Sequence, residues 1–209
     1  MSKTFYRWIL NRINKNKNYI QVFVGATGSG KSWGCLSEAE ELMEMQGKKF
    51  TIENVVFKPK ELLMLIDSGK LNKGDVIVFE EIGVSMDART ALTQTNRILS
   101  YLLQTFRSYN FILLMNLPYF SMLDTNARKL LHATFETNGI NFKTKELFVK
   151  PKIIQTNPST SKTYIKYLRI KNNENGKTIK IKILKLKKPS DELIKTYEIK
   201  KAKFNKDLV

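Results

Sequence analysis

The chain is poor in the residues that build covalent or metal-based frameworks: its 209 residues include one cysteine, Cys35, and one histidine, His132. A single thiol excludes an internal disulfide and fits a reducing compartment. One Cys and one His also leave too few ligands for a His/Cys zinc site. Long apolar runs are missing as well. The best candidate, Phe111 to Phe120, is interrupted by Asn116 and Pro118, whereas a membrane-spanning helix needs about 18 apolar residues in succession. Residues 1–18 lack the apolar block and small-residue cleavage site of a secretory signal. The expectation is a soluble cytoplasmic protein with no intrinsic transmembrane segment.

Acidic residues are scarce, 19 against 36 basic ones, for a net charge of +17. The imbalance is local. Residues 1–140 carry 17 basic and 13 acidic residues (+4), and residues 141–209 carry 19 and 6 (+13). This change divides the chain into a basic N-terminal helix (1–18), a near-neutral core (19–140) and a basic extension (141–209). A strongly basic module points to a polyanion, most simply nucleic acid. Lys outnumbers Arg 29 to 7, a bias that AT-rich coding or adaptation to heat also produces.

Phe5, Trp8, Ile9 and Ile13 recur at helical spacing among Lys3, Arg7, Arg12 and Lys15, which predicts a short amphipathic helix, packed on its own domain or docked on a neighbour. Tyr19–Val24 reads as a strand, Lys31–Gln46 as a helix ending before Gly47, and Phe50–Val56 as a second strand. Pro59 opens a short helix. Asp75–Phe79 and Asn110–Met115 are apolar runs of the kind covered on both faces. Between them, Arg89–Arg107 has a helical stripe; Thr125–Leu131 reads as a helix and His132–Thr137 as extended. Alternating strands and helices predict an α/β fold with a mostly parallel sheet flanked by helices. Beyond it, Lys145–Gln155, Thr163–Lys171 and Thr178–Lys187 alternate apolar and Lys residues, and a turn at 172–176 predicts a β-hairpin. Ser190 is a helix cap for a final helix towards Phe204.

Gly25-Ala26-Thr27-Gly28-Ser29-Gly30-Lys31-Ser32 matches G-x-x-x-x-G-K-[ST]. Glycines let the backbone curl round an anion with its N–H groups pointing inward, and the following helix turns its positive end to the phosphates. Lys31 supplies a cation for the β- and γ-phosphates, and Ser32 a hydroxyl for Mg²⁺. The run Val76–Phe79 then delivers Glu80 and Glu81 at the strand end where open parallel sheets bind ligands. Glu80 is assigned to Mg²⁺ through its water shell and Glu81 to the water that attacks the γ-phosphate; the alternative is that Glu81 merely solvates the loop before Gly83. Asn116, read as ending its strand, either senses the γ-phosphate or closes the strand before Leu117-Pro118. Arg107 and Arg128 serve either as an arginine finger in a neighbouring subunit or as ordinary ion-pair partners.

The order GATGSGKS, VIVFEE, LLQTFRSYNFILLMNLPYF and DTNARKLLHATFE over about residues 19–137 resembles the FtsK–HerA superfamily of RecA-like DNA-pumping ATPases, including virus genome-packaging ATPases and Zot-type phage assembly ATPases. The resemblance implies a RecA-like P-loop NTPase using ATP and Mg²⁺, with Glu80 as the metal acid, Glu81 as the catalytic glutamate, Asn116 as the polar sensor and Arg107 offered in trans. The family usually has Asp at the position of Glu80 and often Gln at that of Asn116. It further implies a homo-oligomeric ring, hexamer or pentamer, passing double-stranded DNA, with a capsid or portal protein as a possible partner and a virion-associated or host-cytoplasmic setting. The leading expectation is ATP-driven DNA translocation for genome packaging. The alternatives are a Zot-type virion assembly or secretion ATPase, a small-molecule P-loop kinase, and a nucleotide switch that does not hydrolyse.

Overall fold

A computed structural model describes residues 2–80, 101, 109–171 and 176–206. Three of the described helices start where the sequence supplies a start. Pro59 opens α3 (Pro59–Asp67), with Glu61 reaching back to the N–H groups of Phe57 and Lys58. The Asp124 carboxylate accepts from the Ala127 N–H at 2.7 Å and caps α4 (Thr125–Leu130). Ser190 accepts from the Leu193 N–H at the start of α5 (Asp191–Lys206), the cap read from the sequence.

β1 (Tyr19–Val24), β2 (Val55–Val56), β3 (Val76–Phe79), β4 (Ile112–Leu117) and β5 (Ala133–Asn141) lie parallel in the order β5-β1-β4-β3-β2. Both faces are covered, and side chains of period two divide between them. Tyr19 and Phe23, Val76 and Val78, and Ile112 and Leu114 pack with α1 (Ser2–Asn14), α2 (Lys31–Glu44) and α5. Ile20 and Val22, Ile77 and Phe79, and Leu113 and Met115 pack with α3 and α4. This is the expected α/β architecture of a RecA-like P-loop protein.

The basic region continues the same sheet. β6 (Glu146–Thr156) runs antiparallel to β5, and β10 (Leu184–Lys187) and β7 (Thr163–Tyr167) pair with successive stretches of β6. β8 (Arg169–Lys171) and β9 (Thr178–Lys180) form the expected hairpin, a separate two-stranded sheet. β5 itself crosses the composition change at 138–141.

The structure corrects four readings. Of the strand expected over 50–56, only Val55–Val56 forms; Ile52–Asn54 is a 3₁₀ turn, and Lys200 of α5 donates to the Ile52 and Val55 carbonyls at 3.0 and 2.5 Å. β4 runs two residues past Met115, because β1 keeps parallel register with it from Tyr19–Ile112 to Val24–Leu117. The strand ends at Leu117, before Pro118, and Asn116 lies inside it. The stretches 163–171 and 178–187 each divide in two: Leu168 and Ile181 turn into the core between the shorter strands, and the Ile181 N–H donates to the Leu168 carbonyl at 2.8 Å. Trp8, read as part of the α1 apolar stripe, is 42% exposed, while Phe5, Tyr6, Ile9 and Ile13 are buried. The helix read over 89–107 lies outside the described residues apart from Tyr101. Among the described residues no helix is long and apolar enough to cross a membrane.

Candidate nucleotide-binding site

β1 ends at Val24, and the chain then turns through Gly25–Gly30 into α2. Gly30 caps α2 at φ 92°, a left-handed conformation that L side chains resist, and it offers no side-chain acceptor to the first-turn N–H groups. At Gly25 a Cβ would stand 2.1 Å from Thr137 Oγ1. The loop can pass so close to β5 only with glycine there. Lys31 Nζ donates to the Gly25 and Ala26 carbonyls at 3.0 and 2.9 Å, so its ammonium lies along the loop.

Beneath the loop, period two sets three polar groups on one face of the sheet. Val76, Val78 and Glu80 share a face of β3, and Ile112, Leu114 and Asn116 share that face of β4. The parallel register pairs Phe79 with Met115, which brings Glu80 beside Asn116. α2 crosses this face with Ser32 in its first turn. Ser32 Oγ donates to Glu80 Oε2 at 2.7 Å, and Asn116 Nδ2 donates to the same oxygen at 2.8 Å and to Ser32 Oγ at 3.2 Å. A third donor, the Tyr197 hydroxyl, reaches Glu80 Oε2 at 2.7 Å from α5.

Glu80 is wholly buried, and its Oε1 has no hydrogen-bond partner among the described residues. Burial holds its carboxyl above the ordinary range, opposed in part by the hydrogen bonds from Ser32, Tyr197 and Asn116 and by Lys201 nearby. A buried carboxylate with one oxygen saturated and the other unpartnered, beside a serine hydroxyl at a helix start, is a donor set suited to a hard cation. The residues therefore fit Mg²⁺ beside a triphosphate.

No protein-family model matches the chain, and no curated protein does. Among solved structures, the N-terminal domain of zonular occludens toxin from Neisseria meningitidis is similar at 18% identity over 73% of this chain and 95% of that one, with a TM-score of 0.41. A DNA polymerase III gamma subunit-related protein from Thermotoga maritima is similar at 8% identity over 68% of this chain and 47% of that one, with a TM-score of 0.45. The P-loop assignment stands on the strand order and the loop itself.

The structure thus brings together Lys31, Ser32, Glu80 and Asn116. It sets Arg128 elsewhere: its Nε donates to the Leu123 carbonyl at 2.8 Å and its guanidinium lies over the Phe120 ring at 5.8 Å. Glu81 and Arg107 lie outside the described residues. Two contributors escaped the sequence reading. Thr137 holds the loop from β5, with its hydroxyl 2.6 Å from Ser29 Oγ and donating to the Val24 carbonyl at 3.1 Å. Tyr197 holds Glu80. The available signal for Tyr197 was a polar tip within the α5 apolar stripe of Leu193, Tyr197 and Phe204. Two grooves among the described residues, of about 620 and 680 Å³, lie away from the loop, one reaching Asp75 at the opposite strand ends and one between α1 and β8.

Proposed function

We propose that the chain is an Mg²⁺-dependent ATPase that moves double-stranded DNA through a homo-oligomeric ring, in the manner of FtsK–HerA genome-packaging motors. The observation that carries this reading is the Ser32–Glu80–Asn116 cluster hydrogen-bonded beneath a complete phosphate loop. In it, the loop N–H groups and Lys31 hold the phosphates and neutralise charge that develops on them. Ser32 and Glu80 would hold the cation, which would supply Lewis-acid stabilisation of the charge on the phosphates. Asn116 orients the γ-phosphate or the attacking water from within β4. Glu81, next after Glu80, accepts the proton of that water, and an arginine from the adjacent subunit, Arg107 or Arg128, balances the charge at the bond being broken.

The nucleic-acid part rests on the +13 charge of residues 141–209 and on how that charge is displayed. Lys180 lies 4.6 Å from the Tyr167 ring centroid, Lys166 5.6 Å from that of Tyr164, and Lys185 5.4 Å from that of Phe148. Such a surface offers cations to backbone phosphates.

The test is ATP hydrolysis with and without duplex DNA over a salt series, together with imaging of Glu81→Gln protein in ATP and DNA. Stimulation that fades as salt rises, and a closed ring, are expected. One rate with or without DNA at every salt concentration removes translocation and leaves the assembly ATPase to be tested by co-sedimentation with a membrane partner.

A further inference from the structure

One of the three donors on Glu80 comes from outside the strands and helix that form the nucleotide site. Tyr197 stands on α5, in the basic C-terminal region, 117 residues along the chain from the carboxylate it reaches. Its ring is buried and stacks on Phe57 at 6.3 Å between centroids; Phe57 in turn stacks on Phe204 at 4.7 Å. Two polar anchors fix the helix around it. At the start of α5 the Ser190 N–H donates to Glu40 of α2 at 2.8 Å, and three residues beyond Tyr197 the Lys200 ammonium binds the carbonyls of Ile52 and Val55 beside β2. Packing alone asks only for a ring at this position. The hydroxyl is spent on Glu80.

We propose that Tyr197 is a positioning residue for the Mg²⁺ carboxylate. Held by three donors, Glu80 Oε2 is fixed in place, and Oε1 is the oxygen left for the water shell of the cation. Two of those donors, Ser32 and Asn116, belong to the nucleotide site itself. Tyr197 is the donor through which α5, and with it the basic region, takes part in holding the metal. The proposal rests on the reading of Glu80 as the Mg²⁺ acid.

The test uses the full chain carrying Tyr197→Phe, which keeps the ring and removes only the hydroxyl. Binding of a fluorescent ATP analogue is measured in EDTA and across a magnesium series. Loss of one hydrogen bond to a charged group predicts that the magnesium concentration for half-maximal tightening rises about tenfold, with affinity in EDTA unchanged within about twofold. In a Glu80→Gln background Tyr197→Phe should add nothing further, and 4-aminophenylalanine at position 197, which restores a para donor, should return the magnesium dependence to within about threefold of the parent.

An unchanged magnesium dependence overturns the proposal, and so does an equal loss with and without magnesium. It is equally overturned if the Phe variant fails to fold while the 4-aminophenylalanine protein folds, because the hydroxyl then serves stability alone. A parent protein that gains nothing from magnesium instead removes the assignment of Glu80 itself, so the two failures are distinct.

Discussion

Among the described residues, the eight-stranded sheet is built by two rules. In the parallel part, all four residues of β3 and all six of β4 are buried, because helices cover both faces. In the antiparallel part, β10 alternates buried Leu184 and Leu186 with exposed Lys185 and Lys187, and β6 alternates less sharply. The difference teaches where each kind of chemistry can be housed. Glu80 is closed off from water, as the cation contact proposed for it requires. The open face instead holds Lys185 and Lys187 in water, as the polyanion contact proposed for it requires.

The sharpest way to break this division is to injure one part and read the other. Lys31→Ala should lower ATP turnover by about a hundredfold or more, since it removes the cation that charge on the γ-phosphate needs, while filter binding to duplex DNA without nucleotide stays within about twofold. Loss of DNA binding in that variant joins the two parts into one site.

The closed part also carries a pH signature. Glu38 of α2 is fully buried; Gln21 Nε2 donates to it at 2.6 Å, and the Tyr19 hydroxyl donates to Gln21 Oε1 at 2.5 Å. Burial pushes Glu38 up to about 8, against the hydrogen bond from Gln21. The folded chain therefore keeps a proton that the unfolded chain releases near 4.5, and stability falls as pH rises from about 4.5 to 8. His132 works in the other direction. Burial, then the Arg12 guanidinium against its ring, hold it down at about 3, so stability is lost as pH falls below 6.5. The two slopes offset each other between about 4.5 and 6.5, which predicts a plateau there. Above it, roughly 2 kcal/mol should be lost between pH 6.5 and 8. Urea melts at stepped pH measure this, and Glu38→Gln should flatten the alkaline limb; an unchanged limb in that variant removes Glu38 as its source.

Gly34 sharpens the packing side of the comparison. Its Cβ would stand 2.6 Å from the Phe23 ring, where α2 approaches β1. Gly34→Ala should cost about 1–2 kcal/mol by denaturant unfolding, offset in part by better helix propensity; a stabilised variant shows that the helix can move away freely. The smallest effect belongs to the open face. Lys166→Glu with Lys180→Glu should weaken duplex binding about tenfold at moderate salt and lower the slope of log affinity against log salt, as two phosphate contacts are lost. Unchanged affinity moves the polyanion surface elsewhere.

Much of the closed part was legible in the chain because its signals are local. VIVF and ILLM are short apolar runs, and GATGSGKS states its own geometry through its glycines. The reading failed where a distant partner decides the outcome. Lys200 satisfies the carbonyls around Asn54, and a 3₁₀ turn replaces most of the strand expected there. Parallel pairing with β1 carries β4 past Asn116 to Leu117. Thr137 and Tyr197 reach the site across 108 and 117 residues of chain, and no spacing rule within a segment reports such contacts. The alternation of Lys with apolar residues after 141 becomes a buried–exposed alternation in β10, whereas β7 and β9 are exposed almost throughout, and the breaks at Leu168 and Ile181 depend on which side chains find room in the core.

β5 has a consequence for anyone who would recombine this protein. Its first half shelters the turn around Gly25, while Ile140 at its far end and Leu147 on the returning strand lie where a Cβ on Gly30 would stand, 2.9 Å away. The change of composition at 138–141 looks like a seam, yet a graft made there would sever a continuous ribbon and strip the roof from the anion cradle. Any transplant of the basic half has to carry that roof with it.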